Sequence, residues 1–120
     1  MPGAIVVLCT VPLDFDGLGL ARDLVERSLA ACVQLGPGIS SVYRWQGVVE
    51  KSEERLLLIK SRRELFGAIE AAIKAVHPYD VPEIIALDVC AGHAPYLEWL
   101  SAATAAGDSP TSRERDSPAG

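Results

Sequence analysis

Residues 31–46 run with a side-chain period of two, Gln46-Gly47 has the character of a tight turn, and residues 48–61 run back from it. Ile39, Ser41, Tyr43 and Trp45 fall on one face of the outgoing arm. This is the pattern of a β-hairpin, because successive side chains of a strand point to opposite faces. Each arm holds about 14 residues, or roughly 46 Å at about 3.3 Å per residue. A compact body of this size has a radius of gyration near ~13 Å and a diameter of about 34 Å. The hairpin is therefore expected to overhang its own domain and to expose strand edges that proteins seldom leave unpaired. Pairing with neighbouring subunits would cover them. The competing geometry uses Gly36-Pro37-Gly38, a segment that interrupts the ladder as a bulge or bend, to fold the arm back onto its own sheet.

The segments around the hairpin complete a recognisable order. Residues 4–10 (AIVVLCT) are β-branched and apolar, as a strand covered on at least one face should be, and Pro12 ends them. From Asp16, a suitable N-cap, Leu20, Ala21, Leu24, Val25, Ser28 and Leu29 share a helical face. Residues 50–54 (EKSEE) read as solvated, whereas 56–59 (LLLI) read as buried on both sides. Residues 62–76 carry a second helix with Leu65, Ile69, Ala72, Ile73 and Val76 in phase, stopped by His77-Pro78. Residues 83–90 (EIIALDVC) form a last strand, and Pro95 opens a short terminal helix. The order predicts an α+β fold, a ferredoxin-like βαββαβ sandwich with a long central hairpin and an extra C-terminal helix. It occupies residues 1–106; residues 107–120, polar and without periodicity, read as a disordered tail.

Composition narrows the function classes. The 120 residues carry a net charge of −5, and Arg62-Arg63 is the only close basic pair outside the tail. That balance disfavours nucleic acid, whose binders cluster Lys and Arg. The N-terminal apolar run lacks a charged leader and is too short to span a bilayer, so no membrane role is expected. Cys9, Cys32 and Cys90 are odd in number and form no CxxC pair, which fits small buried hydrophobes in a reducing, cytoplasmic setting. An acylphosphatase-like enzyme on this fold would need a cationic loop after the first strand; the loop here is TVPLDFD. No enzymatic activity is expected.

Topology brings three chemically capable residues towards one end of the sheet. With strand order 4-1-3-2, the end of the first strand (Cys9) lies beside the start of the last (Glu83), and the second helix finishes there with His77. Thiolate, imidazole and carboxylate together suit copper or zinc. Cys9 beside His77 could also form a nucleophile and its base, the lesser of the two chemical readings. The plainer alternative is structural: a histidine before proline that satisfies helix-end carbonyls. His93 reads as a loop or helix-start residue, and Cys32 and Cys90 go to the far end.

The segments LCTVP (8–12), AACVQLGPGISSVYRWQG (30–47), LLLIKS (56–61), HPYDVPEII (77–85) and YLEWL (96–100) resemble the divalent-cation tolerance protein family (CutA). The resemblance implies a ferredoxin-like protomer, similar to the PII signalling proteins, assembled as a homotrimer whose hairpins pair between subunits. It implies tolerance of divalent metals, copper in particular, with the metal-associated positions carried over to Cys9, His77 and Glu83. Some members place a second histidine before the HPY motif; Val76 stands there in this chain. The kinship to PII proteins implies a second possibility, a small ligand or partner held in an intersubunit cleft lined by Tyr43, Trp45, Tyr79 and Glu83.

Overall fold

The computed structural model describes residues 3–105. Its elements are β1 (Ala4–Pro12), α1 (Gly17–Glu26), β2 (Cys32–Trp45), β3 (Val48–Arg62), α2 (Phe66–Val76), β4 (Ile84–Asp88) and α3 (Ala94–Ala103). A single 3-10 turn, Arg63–Leu65, joins β3 to α2. The strands form one antiparallel sheet in the order β2-β3-β1-β4, as the sequence pattern requires.

Ile5, Val7, Cys9 and Val11 of β1 and Leu57 and Ile59 of β3 face Leu20 and Leu24 of α1 and Ile69, Ala72 and Ile73 of α2. Burying this alternating set against two helical stripes is the main favourable term holding the domain together. The third helix sits elsewhere. Leu97, Leu100 and Ala103 of α3 pack on Ala4 and Ala31, and the Lys60 ammonium lies 5.5 Å from the centroid of the Tyr96 ring. Ala4 and Lys60 belong to the opposite sheet face, so α3 covers one end of it. The rest of that face stays open: Val6, Leu8, Leu56 and Leu58 are only half-buried, and Ile85 and Leu87 are exposed.

The hairpin behaves as its sequence dictates. Gln46 (φ 51°) and Gly47 (φ 83°) both adopt positive φ, the requirement of the two-residue turn whose twist matches that of the strands. The β2–β3 register shifts between Leu35 and Gly38, so Gly36-Pro37-Gly38 makes the expected bulge. It does not fold the arm back. β1 stops opposite Glu54, leaving residues 48–53 paired with β2 alone. The molecule measures 47 × 28 × 25 Å with a radius of gyration of 15.2 Å, above the ~13 Å of a compact domain near this size.

Several boundaries differ from the sequence reading. β3 continues through Arg62 and α2 begins at Phe66, because Arg62 is extended (φ −120°) and its guanidinium donates to the Thr104 carbonyl and hydroxyl. α1 ends at Glu26, and Ser28 turns to positive φ, so Ser28 and Leu29 lie outside the helix. β4 is shorter than residues 83–90. Cys90 is exposed rather than buried, since it follows the end of β4. Glu54, read as solvated, is buried. The anticipated tail, 107–120, lies outside the described residues.

Candidate functional site

The end of the sheet where β1 finishes gathers most of the expected residues. Cys9 pairs with Ile84 of β4 and Leu57 of β3, so Glu83 stands next to that rung. The Cys9 thiol is fully buried, and burial first, then the charges of Glu83 and Glu54, push its pKa from 9.0 up to about 12. Burial and those two charges disfavour its thiolate form in the folded chain. Glu83 itself is exposed.

His77 caps the end of α2 through its backbone N–H, which donates to the Ile73 carbonyl. Its Nε2 lies 2.7 Å from the Thr10 carbonyl oxygen, and its Nδ1 accepts from the Tyr79 N–H at 3.1 Å. The ring stacks with Phe15, centroids 6.1 Å apart, and lies tilted at 56° to the Tyr79 ring, centroids 4.8 Å apart. Among the described residues no group of three or more His, Cys, Asp or Glu side chains is arranged to hold a metal ion. Cys9, His77 and Glu83 thus meet at one end of the sheet without forming a ready coordination shell. A cation bound there would have to displace the Cys9 proton and a hydrogen bond of His77.

Glu54 is the site residue that the sequence did not expose. The Tyr79 hydroxyl donates to its Oε2 at 2.9 Å. Burial, that bond and the Glu54 charge raise the Tyr79 pKa from 10.0 to about 12, with smaller contributions from Tyr43 and Asp14. A run of five polar residues carries no signal that its last member sits opposite Pro12, where the connection from α2 to β4 covers it. Of the expected cleft residues, Tyr79 belongs to this network. Tyr43 shares a 2.6 Å hydrogen bond with Ser52 on the overhanging hairpin, and Trp45 lies at its tip beside Val48. Both aromatic rings are exposed.

Residues 5–103 match the family model described as CutA1 divalent ion tolerance protein. The chain belongs to the CutA1 divalent ion tolerance family. It is 48% identical to the divalent-cation tolerance protein CutA of Thermus thermophilus over 95 residues, 79% of this chain and 92% of that protein. It is also 48% identical to the chloroplastic CutA 1 of rice over 101 residues, 84% of this chain but only 57% of that longer protein. Among solved structures, the Thermus thermophilus CutA1 superposes with a TM-score of 0.82 at 46% identity, covering 85% of this chain and 99% of that one. CutA of Xylella fastidiosa gives 0.81 at 38% identity over 86% of this chain and 99% of that one. The CutA fold therefore accounts for the whole described architecture, including the long hairpin.

Proposed function

We propose that this chain serves divalent-cation tolerance as a non-catalytic, cytoplasmic homotrimer, with copper the principal cation. Membership of the CutA1 family over residues 5–103 carries the reading, because the family is named for tolerance of divalent ions and not for a reaction. The assembly is supported by the hairpin: Val42, Tyr43, Trp45, Val48 and Val49 are all exposed on it, and among the described residues its outer edges are unpaired. Such a surface is a liability in a monomer and an interface in an oligomer. The cation is proposed to meet the chain at the sheet end bearing Cys9, His77 and Glu83, with donors from a neighbouring subunit or water completing the shell.

The exposed Tyr43 and Trp45 favour one further reading, a regulatory or scaffold trimer that holds a small ligand or partner in an intersubunit cleft with Tyr79 and Glu83. Copper titration of the reduced protein separates the two. Weaker binding in both Cys9→Ser and Glu83→Gln supports the cation site; unchanged binding in both favours the cleft. The cytoplasmic assignment draws on the three unpaired cysteines. Among the described residues no helix is long and apolar enough to cross a membrane.

A further inference from the structure

His77 has the most completely specified surroundings of any residue at this end of the sheet. It is 8% exposed, and both of its ring nitrogens face backbone groups. The Thr10 carbonyl can only accept, so Nε2 carries the proton and donates to it. The Tyr79 amide can only donate, so Nδ1 is the unprotonated nitrogen and its lone pair accepts from that N–H. The two partners together select one neutral tautomer and fill both directions in which an imidazole acts.

Metal ligation requires a free lone pair on one ring nitrogen, commonly with the other nitrogen donating to a carbonyl or carboxylate. Half of that arrangement is present, since Nε2 donates to Thr10. The ligating half is closed, because the Tyr79 N–H occupies the Nδ1 lone pair. Neither partner is a side chain that could rotate away. One peptide group belongs to the last residues of β1, and the other to the residue following Pro78, whose ring fixes φ one position earlier.

We propose that His77 is a brace and not a metal ligand: its imidazole cross-links the end of β1 to the connection between α2 and β4. This rests on the cation-tolerance reading above and narrows the donors available at that end of the sheet. The brace explains why the histidine is buried among Phe15 and Tyr79, and why Tyr79 is held where its hydroxyl reaches Glu54.

The test uses the full reduced chain, labelled at the histidine ring nitrogens and titrated with zinc chloride. His77 and His93 are the only histidines, and His93→Gln assigns the spectrum. The brace predicts one protonated and one unprotonated ring nitrogen for His77, unmoved by excess zinc. A zinc-dependent shift of the unprotonated nitrogen would overturn it. His77→Gln, whose amide can still donate to the Thr10 carbonyl, should unfold at a denaturant concentration between those of wild type and His77→Ala. Zinc and copper affinities of the Gln variant should stay within about twofold of wild type, whereas a loss of about tenfold or more, with oligomer and circular dichroism intact, would also overturn the proposal. Should wild type bind neither metal, the cation reading fails while the ring-nitrogen spectrum still decides the brace.

Discussion

At the residue scale, Cys9 shows how burial changes a chemical role. A thiol at the end of a strand, near a histidine and two carboxylates, has the composition of a reactive site. Its position in the core and the negative charges of Glu83 and Glu54 instead hold its pKa at about 12. The unfolded chain, with a thiol near 9.0, loses this proton first. Stability from Cys9 is therefore complete below pH 9 and falls as pH rises from 9 towards 12. Denaturant unfolding across that window should show a slope shallower for Cys9→Ala than for wild type, by up to about 1.4 kcal/mol per pH unit. Native-state alkylation at neutral pH should label the exposed Cys90 and spare Cys9 until denaturant is added. Tyr79→Phe removes the hydroxyl that donates to buried Glu54, and should cost about 1–3 kcal/mol in the same unfolding measurement. Of this network, Cys9, His77 and Glu83 were legible from topology, because strand order alone assigns them to one end. Glu54 was not. Its burial depends on which residue of the α2–β4 connection lands over β3, and local polarity does not encode that.

At the element scale, local chemistry and tertiary structure agree in most places. Asp16 caps α1 by accepting from the Gly19 N–H at 2.9 Å, and Asp16→Ala should lower stability by about 0.5–2 kcal/mol, read by thermal or denaturant unfolding. Much of the hairpin was legible: period two in the outgoing arm, a tight turn at Gln46-Gly47 and a bulge or bend at Gly36-Pro37-Gly38, with the positive φ of the turn and the straight run of the arm supplied by the structure. The junction after β3 was not. Helical periodicity through Leu65 reaches back to Arg62, but Arg62 is kept extended by its bonds to Thr104, forty-two positions away in the chain. A contact of that range leaves no periodic trace, and the same is true of α3, whose docking face becomes visible only with Ala4 and Ala31 in place.

At the scale of the whole molecule, the hairpin is out of proportion to the domain that carries it. The sheet beyond Glu54 is only two strands wide, and isolated two-stranded ribbons are marginal in water. Neighbouring copies would supply the missing strands and cover the apolar residues of the open sheet face. If the proposed trimer forms through the hairpin, Trp45→Glu, a charge placed on that exposed surface, should shift sedimentation from trimer to smaller species at micromolar concentration. A folded wild-type monomer under those conditions would rule out the proposed assembly. Handling of divalent cations by the proposed trimer meets its most direct test in a copper titration of the purified, reduced full chain with mass measured in parallel. Saturable binding by a trimer, weakened by Cys9→Ser and Glu83→Gln, is the expected result. A trimer that takes up no copper beyond the competing buffer would contradict it.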